Sequence, residues 1–206
     1  MSAPVSVAKM LGGAVHHFGI TVSDMSRSIK FYTEVLGGRI ITTGTGFAGP
    51  EIHSSLLQRE VETSQPSTPN LNGEHELDVV FIQYANAVIE LLRYHSPSPD
   101  NSTFPASPAV TSSPAVPNAM HVCFRVRSDV DFAEFHASIE RESHALGMTQ
   151  VKCNPIFRVV NPGADFDGWN LIYCKGPDGE QLEFVQVLRR ADEVFTAAEK
   201  AYVTPP

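Results

Sequence analysis

Apolar and polar residues alternate over residues 15–22, with Phe18, Ile20 and Val22 on one face and His17, Gly19 and Thr21 on the other. A period of two predicts a strand. Ser23 or Asp24 then offers a helix cap, and Met25, Ile29, Tyr32 and Leu36 recur at helical spacing until Gly37-Gly38 stops the turn. Further strands are predicted over 38–43, 78–84 and 87–94, the last two joined by a tight turn at Ala85-Asn86. The same order returns downstream. A strand at 119–126 leads into a capped helix over about 129–146, with Phe132, Phe135, Ile139 and Leu146 on its apolar face and Gly147 as terminator. Strands follow within 149–160, 169–175 and 181–187, and Gly176-Pro177-Asp178-Gly179 fixes the backbone of the turn before the last of them.

Each half therefore reads as strand, helix and three strands, an α+β chain of two βαβββ modules. The first is expected over residues 14–94, with an insertion at about 45–76. That insertion contains a short helical pattern near 52–61 and a polar stretch at 65–73, and its length between neighbouring strands predicts a lid or disordered loop. Residues 95–117 are Pro/Ser-rich and read as a linker. The second module is expected over 118–188, followed by a C-terminal helix and tail over 189–206.

The halves also repeat one another residue by residue. His17-Phe18-Gly19-Ile20-Thr21-Val22 returns as His121-Val122-Cys123-Phe124-Arg125-Val126, and the strand carrying Glu90 returns as the strand carrying Glu183. Each copy opens on a histidine and closes on a glutamate. Alternation turns all four side chains away from the helix-covered face, among apolar neighbours such as Val88, Leu92 and Val185. A carboxylate on such a face needs a compensating charge, which a divalent cation held by His17, Glu90, His121 and Glu183 would supply. The N/O donor set suits zinc, nickel, cobalt, manganese or iron, and six-coordination leaves two positions for water or substrate. The expected architecture is thus two modules whose curved sheets enclose a metal-binding cleft. Arg125, Tyr94, Trp169 and Tyr173 are candidates to line it and orient a substrate, and His53 to reach it from the insertion. His16 is expected on the helix-packing side as a partly buried structural residue.

Composition narrows the partners. In 206 residues, 42% hydrophobic content is enough for a substantial core, while the net charge of −8 and the lack of any Lys/Arg stripe argue against nucleic acid. A small-molecule substrate fits better. The three cysteines, Cys123, Cys153 and Cys174, suit neither a disulfide framework nor a Cys-based zinc site and are expected as buried thiols in a reducing compartment. No secretory signal and no apolar run of bilayer length is evident, so the expectation is a cytoplasmic protein without a membrane partner.

The signature Val15-His16-His17-Phe18-Gly19-Ile20-Thr21-Val22-Ser23-Asp24, continuing to Phe31-Tyr32 and Leu36-Gly37, together with Gly176-Pro177-Asp178-Gly179-Glu180-Gln181-Leu182-Glu183, resembles the vicinal oxygen chelate superfamily. Glyoxalase I, methylmalonyl-CoA epimerase, extradiol dioxygenases and the fosfomycin and bleomycin resistance proteins belong to it. The resemblance covers residues 14–94 and 118–188 and implies metal ligation by His17, Glu90, His121 and Glu183. The ligand pattern is closest to glyoxalase I-like lyases, in which the glutamate corresponding to Glu183 also acts as the base that moves the substrate proton. The implied activity is a metal-dependent lyase or isomerase working through an enediolate-like intermediate on a small oxygenated substrate. Two alternatives stand beside it: an extradiol-type iron dioxygenase, against which a fourth protein ligand at Glu90 counts, and a non-catalytic binding protein of the resistance type. Thr21 stands where glutathione-dependent relatives present a basic residue, a place that Arg125 fills in the second half. Two fused modules favour a site within one chain over one shared in a homodimer, although superfamily members use both.

Overall fold

The computed structural model describes residues 15–49, 76–95, 120–164, 167–188, 193 and 196–198. The chain divides into two compact units, Met1–Ala106 and Ser107–Pro206. Among the described residues, each holds one sheet.

In the first unit, β1 (Phe18–Thr21) lies parallel to β4 (Val88–His95), and β4, β3 (Glu76–Gln83) and β2 (Arg39–Phe47) continue antiparallel, giving the order β1-β4-β3-β2. Helix α1 (Met25–Lys30) connects β1 to β2, and its cap is Asp24, whose carboxylate accepts the Arg27 N–H at 3.0 Å. The helix does not stay regular. Over Phe31–Val35 it widens into a π-helical turn, closed by the Leu36 N–H on the Phe31 carbonyl at 3.0 Å, with the Phe31 and Tyr32 rings fully buried beneath it. The Tyr32 carbonyl is satisfied from outside the helix by the Gly38 N–H at 2.9 Å and the Tyr84 hydroxyl at 2.8 Å.

Gly37 and Gly38 end the helix for different reasons. Gly37 adopts φ +73°, whereas a Cβ on Gly38 would lie 2.5 Å from Ile82 Cγ2 and 2.8 Å from the Tyr32 carbonyl oxygen. Chain direction and close packing thus each require glycine. Val80, Ile82, Ile89 and Leu91 form the buried helix-side layer of the sheet. The predicted tight turn is present, with Tyr84 N–H donating to Ala87 O at 2.9 Å.

The second unit repeats the plan in the order β5-β9-β8-β6. Here β5 (Val122–Arg125) is parallel to β9 (Gln181–Gln186), β8 (Asn170–Lys175) is antiparallel to β9, and β6 (Lys152–Cys153) and β7 (Phe157–Arg158) both pair with β8. Helix α2 (Phe132–Ala145) begins later than predicted because Asp131 caps it, accepting from Ala133 N–H at 2.8 Å and Glu134 N–H at 3.3 Å. Gly147 ends it at φ +84°. Phe135 packs edge-on against Phe184, which stacks on Phe124, so one aromatic run joins helix and sheet.

Three further expectations change. The strand predicted over 38–43 runs on to Phe47, taking the first residues of the expected insertion. The strand predicted within 149–160 is two short strands, β6 and β7, flanking Pro155, which has no N–H for a ladder. His16 is exposed rather than partly buried on the helix side.

The rest of the insertion, including His53 and the 52–61 and 65–73 segments, lies outside the described residues, as does the linker beyond His95. In the C-terminal segment only residue 193 and residues 196–198 are described, all helical. Among the described residues no helix is long and apolar enough to cross a membrane.

Candidate metal centre

Each module brings one histidine and one glutamate together. His17 precedes β1 and Glu90 sits on β4, where the parallel register sets Glu90 beside Gly19. Side chains two residues apart share a strand face, so His17 and Glu90 meet, with Nε2 and Oε2 3.1 Å apart. His121 and Glu183 meet in the same way in the second module, at 2.9 Å. Both histidines are partly open to solvent, and both carboxylates lie deeper in the sheet.

The surroundings of the two pairs differ. Beside Glu90, the positions on β1 and β3 carry Gly19 and Phe81, and the Phe81 ring meets His17 edge-on at 5.4 Å. Beside Glu183, the matching positions carry Cys123 and Tyr173, and the Tyr173 ring meets His121 edge-on at 5.7 Å. The Cys123 thiol hydrogen-bonds the Glu183 carboxylate. Loss of solvent around that thiol, and then the charge and hydrogen bond of Glu183, raise its pKa to about 12. Tyr173 is likewise pushed above the usual phenol range, chiefly by burial and then by the Glu183 charge. Of the three cysteines expected to be buried, Cys174 is buried, but Cys153 is half-buried and Cys123 is exposed.

His16 supplies an additional contact in the first module, its Nδ1 lying 2.8 Å from Nδ1 of His17. With His17 Nε2 donating to Glu90, His17 Nδ1 accepts from His16 Nδ1–H. The aligned position in the second module is the exposed Met120.

The other predicted residues fall as follows. Arg125 lies on the same strand face as His121 and Cys123, opposite Val185, and is exposed. Trp169 and Leu171 pack on Val185 and Val187, on the Glu183 face of the sheet. Tyr94 follows Glu90 and Leu92 on one face of β4 and is half-buried. His136 and His144 donate to the Asn154 and Val151 carbonyls at 3.0 and 3.1 Å, tying α2 to the segment below it. Sequence reasoning passed over His16, Phe81 and Cys123 as neighbours of the candidate ligands. For Cys123 the signal was present, since it stands two residues after His121 in the repeat.

The donor chemistry fits a divalent ion. Imidazole nitrogen and carboxylate oxygen are ligands for zinc and for the later divalent metals, and two donors about 2.1 Å from one ion at right angles stand about 3.0 Å apart. The two His–Glu separations match that spacing. Among the described residues the candidate ligands come together as pairs, and no group of three or more His, Cys, Asp or Glu residues is arranged to hold a metal ion.

The family profile described as the Glyoxalase/Bleomycin resistance protein/Dioxygenase superfamily matches residues 14–184. The chain belongs to that superfamily. Its fold is similar to that of a glyoxalase family protein from Bacillus cereus, at 14% identity and a TM-score of 0.52 over 85% of this chain and 94% of that one. A glyoxalase family protein from Enterococcus faecalis matches at 18% identity and 0.48, over 84% and 97%. The fosfomycin resistance protein FosX from Listeria monocytogenes, complexed with Mn(II) and sulfate, matches at 13% identity and 0.43, over 87% and 97%. No match was found among curated proteins.

Proposed function

We propose that this superfamily member is a metal-dependent lyase or isomerase that moves a proton beside a carbonyl of a small oxygenated substrate, with His17, Glu90, His121 and Glu183 as ligands of a divalent ion. The observation that carries this reading is the repetition of the His–Glu pair, at 3.1 and 2.9 Å, at matching places in two modules. When bound, the metal would polarise a substrate oxygen and stabilise the enediolate-like charge that develops when the neighbouring carbon loses its proton.

The chain's own residues supply the rest. Glu183 is the base that takes and returns the proton, and the Cys123 thiol beside it fixes the direction of its carboxylate. His16 is a positioning residue for His17: with Nε2 as the nitrogen that would hold the ion, the ring proton would sit on Nδ1 and His16 would accept it. Arg125, Tyr94 and Trp169 are the proposed substrate contacts, with Arg125 the cation for an anionic group.

Metal analysis and calorimetric titration of the purified protein with zinc, nickel, cobalt and manganese test the reading. One ion per chain, weakened by substitution in either module, supports it. Retention of full metal occupancy by both His17→Ala and His121→Ala under chelator challenge would remove the four-ligand assignment. Purification with oxygen-sensitive iron, and oxygen uptake during turnover, would move the reaction to the dioxygenase.

A further inference from the structure

On the face of the second sheet opposite His121 and Glu183 lies a pair of thiols that the proposed chemistry does not use. Cys153 on β6 and Cys174 on β8 stand directly opposite each other in antiparallel register. The Asn154 N–H donates to the Tyr173 carbonyl at 2.8 Å, so residues 154 and 173 form a hydrogen-bonded pair. By alternation, 153 and 174 form a non-hydrogen-bonded pair, the kind in which facing side chains approach most closely. In agreement, the Cys153 N–H turns away from β8 and donates to Glu140 Oε1 of α2 at 2.7 Å. The Cys174 thiol donates to the Lys175 carbonyl at 3.4 Å, and neither cysteine is in a disulfide. Cys174 is buried, whereas Cys153 is half-buried on an edge strand of two residues.

We propose that Cys153 and Cys174 are a peroxide-responsive dithiol that closes to a cross-strand disulfide, a modification site separate from the His–Glu pairs. A non-hydrogen-bonded antiparallel pair sets its Cα atoms about 4.5 Å apart, inside the range that a disulfide spans.

Cys153, the more accessible sulfur, attacks one peroxide oxygen as thiolate. The O–O bond breaks, hydroxide leaves and is protonated to water, and Cys153 becomes a sulfenic acid. The Cys174 sulfur then displaces the sulfenic oxygen, which departs as a second water carrying the Cys174 proton. Two thiols lose two electrons and the peroxide gains two. Cys174 holds its proton tightly in the reduced pair, first because of the neighbouring Cys153 and then through burial and the charges of Glu180 and Glu140. Accessibility sets the order of events, because the half-buried Cys153 meets the peroxide first and the buried Cys174 resolves it. The bond would fasten β6 to β8 directly behind Tyr173, the residue whose ring packs on His121.

The test uses full-length, fully reduced protein treated with stoichiometric hydrogen peroxide, quenched with iodoacetamide and mapped by peptide mass. The expected product has lost two hydrogens, links the Cys153 and Cys174 peptides, leaves Cys123 alkylated and reverts with dithiothreitol. Cys123→Ser should form the same link, and Cys153→Ala should not. Recovery of both Cys153 and Cys174 as alkylated thiols while Cys123 oxidises, or a link from Cys123 to either, overturns the proposal. The oxidised wild type should also unfold several degrees higher than the reduced protein. A linked product with an unchanged or lower midpoint would show that the bond forms only away from the native register, which equally overturns it.

Discussion

The His17–Glu90 and His121–Glu183 pairs share a backbone plan and differ in what surrounds the carboxylate. Glu90 has Gly19 and Phe81 beside it, with no hydroxyl or thiol at either place. Glu183 has Cys123 and Tyr173 in the same two places, each with a proton to give. The first module spends its extra polar group on the histidine instead, through His16. On the proposed reading, the first pair would serve to hold the ion, with its imidazole oriented from outside. The second would serve as the base, its carboxylate lying beside the Cys123 thiol and Tyr173 on the neighbouring strands.

The largest expected effect breaks that comparison most directly. Glu183→Gln keeps the size of the side chain and an oxygen donor but removes the basic carboxylate, so proton exchange should fall on the order of 10²-fold or more while metal stays bound. Glu90→Gln should act mainly on metal affinity. Deuterium incorporation from heavy water, followed by NMR across a panel of hydroxy-ketones and oxo-aldehydes, reads both variants. Equal losses of exchange at equal metal occupancy would mean that the two carboxylates share one role.

Next in size is the loss of an imidazole. His17→Ala and His121→Ala should each weaken divalent-metal binding by about 10²-fold or more with little change in thermal midpoint, because neither ring is part of the core. His16→Ala should cost roughly 10-fold, the scale of an outer hydrogen bond to a ligand, whereas Met120→Ala at the aligned place should cost nothing measurable. Calorimetric titration with zinc or cobalt checks all four. An undiminished affinity in His16→Ala would leave the 2.8 Å contact as mere proximity.

Exchanging the neighbours sharpens the contrast at smaller scale. A Cβ on Gly19 would stand 3.1 Å from Leu92 Cδ1 and 3.7 Å from Glu90 Oε2, a tight but adjustable fit against a side-chain methyl. Gly19→Cys should therefore cost about 1 kcal/mol or less in denaturant unfolding. Cys123→Ser, which keeps a donor for Glu183, should retain more proton exchange than Cys123→Gly.

The smallest effect is one of pH, and it belongs to the second module. The Glu140 carboxyl is held below the usual range, first by the Cys153 N–H and further by the charges of Lys152, His144 and His136. Its contribution to stability is thus complete above the ordinary glutamate range and is lost as pH falls through the lower folded value. Hydrogen exchange at the Cys153 amide should show protection that weakens over that window in the wild type. The protection should be weaker and flat with pH in Glu140→Gln.

Much of this was legible in the sequence because the two relevant periods are short and local. Alternation placed His17, Gly19 and Thr21 on one face, and the repeat carried the same inference to His121, Cys123 and Arg125. The failures have one distant cause and two local ones. The helix pattern running to Leu36 gives no sign of the π-helical turn, which depends on burying Phe31 and Tyr32 and on a hydroxyl arriving from Tyr84. The break between β6 and β7 follows from Pro155, which a hydrophobic pattern does not register. His16 looked internal because strand alternation was applied to a residue that precedes the strand, where the backbone is free to turn.

The parallel pairing of β1 with β4, and of β5 with β9, has a kinetic consequence. In each module the histidine stands just before the first strand and its glutamate on the last, so no hairpin can assemble the pair early. A folding chain must close the whole helix-and-strand excursion before either imidazole meets its carboxylate, and long loops close late. Metal uptake would then report completed assembly rather than guide it, and a half-folded chain would offer the ion only scattered donors.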